Sequence, residues 1–136
     1  MNKIMIDTPA DAAAIFRAAF PKVQKEERVF VLPLDGNGNM LAKPILVSVG
    51  HRDGSTSIDP GSIYREALKV GAEEIIVAHN HPSGDLTPSK ADFDVTQQLR
   101  VGCDIVGLTF VDHIIIGGDA SSNNIEYVSM RESWLQ

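Results

Sequence analysis

Two spacings of apolar residues alternate along this chain. Asp7-Thr8-Pro9 opens a first helix to about residue 21, and Ile15, Phe16 and Phe20 share one side of it. A charged crossing over residues 22–28 leads to an apolar strand, Val29-Phe30-Val31-Leu32-Pro33-Leu34-Asp35, in which Pro33 predicts an edge position or a bulge. Gly36-Asn37-Gly38-Asn39 reads as a hairpin turn, because Gly and Asn tolerate positive φ, and the return strand covers about residues 40–49. The polar run 50–58 reads as a loop, placed as a flap over a site. Asp59-Pro60 starts a second helix with a stripe of Ile63, Ala67 and Val70, ended by Gly71. Ile75-Ile76-Val77-Ala78 reads as a buried strand. Thr87-Pro88 then starts a third helix to about Arg100, on which Ala91, Val95 and Leu99 predict the core face. Strands follow at Ile105-Val106-Gly107-Leu108-Thr109-Phe110, His113-Ile114-Ile115-Ile116 and Ile125-Glu126-Tyr127-Val128, with a loop over 117–124. Helices alternating with hairpin-linked strands predict a mixed α/β or α+β sheet.

Composition narrows the class. A chain of 136 residues predicts one domain with a proper core. The net charge of −6, with a pI near 5.1, argues against a grip on nucleic acid through general electrostatics, and the Lys and Arg residues are scattered. The single cysteine, Cys103, cannot form an internal disulfide and reads as a small buried hydrophobe, which suits a reducing cytoplasm. No run approaches the ~18 apolar residues of a membrane span, and the N-terminus lacks a signal-peptide pattern. A cytoplasmic location is the expectation.

The chemistry lies between Ala78 and Asp92. His79 and His81, one residue apart at a strand end, point to the same face. Ser89 and Asp92, three apart at a helix start, also share a face. Two imidazoles and a carboxylate therefore converge from two elements, and three protein ligands with one open position describe a catalytic zinc site, one ion per chain. Asp85, on the loop, is a rival carboxylate without the helical partnership to Ser89. A zinc deaminase would need a glutamate where His81 stands and a later Cys-x-x-Cys pair. The helical His-Glu-x-x-His motif and the Walker glycine loop are missing as well.

His79-Asn80-His81-Pro82, followed by Ser89 and Asp92, resembles the JAMM (MPN-type) metalloprotease motif, and His79-Asn80-His81-Pro82-Ser83-Gly84 resembles its bacterial RadC branch. The likeness extends over nearly the whole chain, through Val31-Leu32-Pro33-Leu34-Asp35, Arg65-Glu66-Ala67-Leu68, Asp112-His113-Ile114-Ile115-Ile116-Gly117 and Ser129-Met130-Arg131-Glu132-Ser133-Trp134-Leu135. It implies a three-layer α/β/α sandwich with a mixed sheet, of the cytidine-deaminase-like type. It further implies a zinc metallopeptidase or isopeptidase in which metal-activated water attacks an amide carbonyl of a protein or peptide substrate. Full-length RadC-type proteins usually add an N-terminal helix-hairpin-helix segment. None is expected in residues 1–136, which would then be a stand-alone short form or a truncated piece.

The resemblance also places the general base on a glutamate just before the first strand, Glu27, with Glu26 one residue away as the alternative. Ser89 would donate to the oxyanion or simply cap its helix. Asn80 should face away from the histidines and orient the loop. Pro82 and Gly84 would shape that loop. His113 reads as a structural histidine, with a place beside the metal ligands or the substrate as its other reading, and His51 reads as exposed. Two further functions compete with hydrolysis: a non-catalytic interaction module that keeps the fold, and the DNA-repair association carried by the RadC name. The acidic balance and the missing helix-hairpin-helix segment argue against direct DNA binding. Nothing in the sequence names a particular substrate or an oligomeric state.

Overall fold

The computed structural model describes residues 3–23, 25–50, 58–117 and 126–134. Helix α1 (Pro9–Ala19) is opened by Thr8, whose hydroxyl accepts from the Asp11 N–H while the Asp11 carboxylate accepts from the Asp7 and Thr8 N–H groups. Strand β1 (Arg28–Leu34) turns at Asp35, whose carboxylate accepts from the Asn37 and Asn39 N–H groups, and Gly38 adopts φ +82°. The return strand β2 (Ile45–Val49) is shorter than expected, and Met40 lies outside it, in an isolated bridge to Leu34 and with its N–H donating to the Ile4 carbonyl. Helix α2 (Pro60–Lys69) is capped by Asp59. Strand β3 (Glu74–Asn80) follows, then α3 (Lys90–Val106), β4 (Thr109–Gly117), β5 (Glu126–Ser129) and a short α4 (Met130–Trp134).

The strands form one mixed sheet in the order β2-β1-β3-β4-β5; β3 and β4 run parallel and the other neighbours antiparallel. Alternate residues of each strand face opposite sides. Phe30, Leu32, Leu34, Ile76, Ala78, Ile114 and Ile116 pack with Ala12, Ala13, Phe16 and Phe20 of the α1 segment. Val29, Val31, Ile75 and Val77 pack on the other side with Ile63 and Ala67 of α2 and Leu99 and Cys103 of α3. The result is an α/β/α sandwich, the class expected from the sequence. His79, two residues beyond Val77, therefore emerges on the α2–α3 face, and Asn80 on the α1 face.

Several details differ from the sequence expectations, each for a physical reason. Pro33 lies on an interior strand, but β2 ends opposite Val31, so the side of Pro33 that lacks a donor meets no ladder; its carbonyl accepts from Leu41 N–H. Val70 is exposed, because α2 stops at Lys69 and Val70 is its C-cap. Helix α3 starts after Ser89, two residues later than Thr87-Pro88 suggested, and it runs through Ile105 and Val106, where a strand was expected. Gly107 ends it at φ +83°, and β4 is a single strand in place of two. The buried stripe of α3 is Asp92, Thr96, Leu99 and Cys103; Ala91 is exposed. Residues 51–57 of the expected flap, with His51, residues 118–124 of the later loop and Ile125 of the last expected strand lie outside the described residues. Among the described residues, no helix is long and apolar enough to cross a membrane.

Candidate metal centre

The carboxyl end of β3 and the amino end of α3 meet on the α2–α3 face of the sheet. His79 Nε2 lies 3.1 Å from His81 Nε2 and 3.2 Å from Asp92 Oδ1, while His81 Nε2 lies 3.3 Å from Asp92 Oδ2. His79 and Asp92 are buried and His81 is half-buried. Two imidazole nitrogens and a carboxylate oxygen form a donor set that suits zinc. In a tetrahedral zinc site with bonds of about 2.0–2.1 Å, neighbouring ligand atoms stand about 3.3–3.4 Å apart. Here the two imidazole nitrogens stand 3.1 Å apart, and each lies 3.2–3.3 Å from a different oxygen of the one Asp92 carboxylate, so the three side chains fit the ion their motif implies.

Each ligand is oriented by a neighbour. His81 Nδ1 lies 2.7 Å from the backbone carbonyl of Asp85, across the turn closed by the Gly84 N–H to His81 carbonyl bond, with Gly84 at φ +85°. His79 Nδ1 lies 2.6 Å from Nε2 of the fully buried His113, whose Nδ1 is 2.7 Å from Thr96 Oγ1. Asp92 is held by a capping box: Oδ2 accepts from Ser89 N–H at 2.8 Å, and Ser89 Oγ accepts from Asp92 N–H at 3.1 Å.

Charge follows from this arrangement. Burial opposes ionisation of Asp92, but the His79 and His81 rings and the Ser89 N–H hold its carboxyl well below the usual carboxylate range. The same carboxylate raises the pKa of His81, against the opposing effect of burial. The two shifts describe a proton on His81 shared with Asp92, for which a metal ion would compete. Burial, reinforced by the neighbouring His79, pushes His113 far below the ordinary histidine value, so it is neutral.

Glu27, Ile58, His79, Asp92, Val95 and Gln98 line a cleft of about 350 Å³. The antiparallel register sets Val29 opposite His79, so continuing it two residues brings Glu27 level with His81. The charge of Glu27 also acts on His81. Its backbone is clamped. Asn80, fully buried on the α1 face, accepts from Arg28 N–H at 2.7 Å and donates to the Glu26 carbonyl at 3.0 Å. The Glu27 carbonyl accepts from Gly50 N–H at 2.6 Å. Glu26, the alternative base, is not among the residues lining the cleft.

The remaining candidates take other places. Ser89 is the N-cap; since its oxygen accepts from Asp92 N–H, its own proton remains available to donate. The Asp85 carboxylate accepts from Thr87 N–H and is not part of the cluster that His79, His81 and Asp92 form. Cys103 sits in the core, and burial pushes its thiol up to about 12. Sequence reasoning gave no role to Thr96, because a lone hydroxyl in a helix carries no periodic signal. Asp112 was also passed over; it is buried and accepts from the Ser129 hydroxyl and from the His113 and Arg131 N–H groups.

Comparison with known proteins agrees with this geometry. The family model described as the RadC-like JAB domain matches residues 6–135. A UPF0758 protein of Carboxydothermus hydrogenoformans is 42% identical over 134 residues, covering 98% of this chain and 55% of that protein. One from Actinobacillus pleuropneumoniae serotype 5b is 43% identical over 113 residues (82% and 50%), and one from Acaryochloris marina is 40% identical over 129 residues (95% and 49%). The chain thus spans about half the length of the curated relatives it matches. It belongs to the RadC family of JAB domains.

Proposed function

We propose that this chain is a zinc-dependent hydrolase domain acting on peptide or isopeptide bonds. The observation that carries the reading is the convergence of His79 Nε2, His81 Nε2 and the Asp92 carboxylate beside a cleft that His79, Asp92 and Glu27 line. His79, His81 and Asp92 would hold one zinc ion. When bound, such an ion polarises a carbonyl and lowers the pKa of a water from 15.7 to about 7.

The chain's own residues supply the proton traffic. Glu27 takes a proton from the attacking water and delivers it to the leaving amine nitrogen, so that water and amide become acid and amine. The Asn80 clamp and the Gly50 bond hold the Glu27 backbone in register with the histidines. The Ser89 hydroxyl, its lone pair engaged by Asp92 N–H, donates its proton to the oxyanion, a contribution of about 3–4 kcal/mol in systems where one donor has been removed. The net charge of −6 supports a protein or peptide substrate over nucleic acid. A cytoplasmic site of action suits the lone free thiol.

The test pairs metal analysis with a peptide-library digest read by mass spectrometry. Wild type should carry about one zinc per chain and cleave amide bonds. His81→Ala and Asp92→Ala should lose the metal, and Glu27→Gln should keep it while losing cleavage. Stoichiometric zinc without cleavage by wild type, or full turnover by Glu27→Gln, would overturn the proposal.

A further inference from the structure

Behind the three ligands lies a chain of buried polar groups. His79 Nδ1, His113 Nε2, His113 Nδ1, Thr96 Oγ1 and the Asp92 carbonyl follow one another at 2.6, 2.7 and 2.7 Å across the successive hydrogen bonds. Proton counting leaves one direction for this chain. The Asp92 carbonyl can only accept, so the single Thr96 hydroxyl proton goes to it. Thr96 Oγ1 must then accept from His113 Nδ1–H. In a neutral ring the other nitrogen is a bare acceptor, so His113 Nε2 accepts from His79 Nδ1–H. Once His79 is neutral, its Nε2 is consequently left as a lone pair, within reach of a proton on His81 and open to a metal ion.

We propose that Thr96 and His113 are positioning residues which fix the tautomer and ring orientation of His79, and thereby prepare its Nε2 to bind a metal ion. The inference rests on the metal-centre reading above. It gives a role to two polar side chains that are 2% and 0% exposed and touch neither the cleft nor solvent. It also ties two ligands together: Thr96 bonds the backbone of Asp92, and its relay ends on His79. A metal-bound histidine commonly donates its second N–H to a fixed acceptor, and loss of such a partner costs about 10–100-fold in metal affinity. Here the acceptor is a second imidazole, itself set by a hydroxyl one turn along α3 from Asp92.

The test uses the intact chain, with Thr96→Val to delete the hydroxyl at constant shape and Thr96→Ser to keep it. Long-range proton–nitrogen NMR at alkaline pH, where the rings are neutral, reads each histidine tautomer in metal-free protein. Zinc affinity is measured by competition with a chromophoric chelator. Wild type and Thr96→Ser should show His79 and His113 protonated on Nδ1. Thr96→Val should transfer the proton of both rings to Nε2 and bind zinc about 10–100-fold more weakly. A wild-type His79 protonated on Nε2, or a Thr96→Val protein with unchanged tautomers and zinc affinity, would overturn the inference. The tautomers decide the relay whether or not zinc binds, so failure of wild type to take up zinc counts against the metal-centre reading alone.

Discussion

Asp92 carries two duties that one substitution separates. Its Oδ2 accepts from Ser89 N–H as half of a capping box, and the same carboxylate faces both histidines as the third ligand. Asp92→Asn keeps a carbonyl oxygen for Ser89 and removes the anionic ligand; Asp92→Ala removes both. A ligand that binds only the folded state stabilises it by about 2.7 kcal/mol at 100 times its Kd. With an unfolding entropy of about 2.1 cal/mol/K per residue, a domain of 136 residues should gain roughly 9 °C in Tm. Zinc at that saturation should therefore raise the wild-type melting point by about 9 °C over a chelator-treated control. Asp92→Asn should melt within about 3–4 °C of metal-free wild type, a change under about 1 kcal/mol, and show no zinc shift. Asp92→Ala should lose a further 0.5–2 kcal/mol, roughly the value of a helix cap. Differential scanning calorimetry at alkaline pH, where His81 no longer shares a proton with Asp92, isolates these effects. Should Asp92→Asn retain half or more of the zinc shift, Asp92 is a cap alone and the ligand set is wrong.

Three further outcomes follow from the same geometry. Asn80→Ala leaves the Arg28 N–H and the Glu26 carbonyl without their buried partner, so urea unfolding should show a loss of about 2–6 kcal/mol at roughly 1–3 per orphaned group, with zinc stoichiometry unchanged. His81 has its folded pKa raised above 6.5, so its pairing with Asp92 stabilises metal-free protein fully below pH 6.5 and is lost as pH rises through the folded value; zinc affinity should run the opposite way, falling on acidification, and chelator competition across pH reads both limbs. Asp112→Ala strips the acceptor from the His113 and Arg131 N–H groups and the Ser129 hydroxyl, and should cost about 2–4 kcal/mol, whereas Asp112→Asn, which keeps an acceptor, should cost less than half of that.

The layers of the fold were legible because strand and helix periods are written in apolar residues: Val29 to Leu34 and Ile75 to Ala78 alternate cleanly between two packed faces. The same method misread α3 where burial is polar. Ala91, Val95 and Leu99 looked like its core stripe, yet Asp92, Thr96, Leu99 and Cys103 are the buried line. Asp92 and Thr96 are inside because histidines from β3 and β4 meet them there, and hydropathy assigns no such place to an acid. Ile105 and Val106 were read as strand, although Ile105 is 79% exposed on the last turn of the helix. Gly107 was the better stop signal. The missed helix α4 had its own mark in Ser129-Met130-Arg131-Glu132, where Ser129 Oγ accepts from Glu132 N–H.

The start of α3 and the third ligand are one decision in the chain. Thr87-Pro88 offers a plausible start, but Ser89 and Asp92 satisfy each other's backbone N–H groups, and that reciprocal pair sets the first turn two residues later. Had the helix begun after Thr87, the N3 position would fall on Lys90, which offers no acceptor for the cap N–H and no ligand for a cation. With Ser89 as cap, N3 is Asp92, and its carboxylate is turned back over the helix start, where His79 and His81 arrive from the strand end. Asp92 thus reaches the histidines by ordinary helix-capping chemistry, on a rigid element. The competing carboxylate of Asp85 is occupied by Thr87 N–H on an exposed loop. A Ser89→Ala substitution should accordingly weaken zinc binding even though Ser89 is no ligand, because the capping box that aims Asp92 loses its hydroxyl half. Ser89→Thr, which restores a hydroxyl acceptor, should recover it.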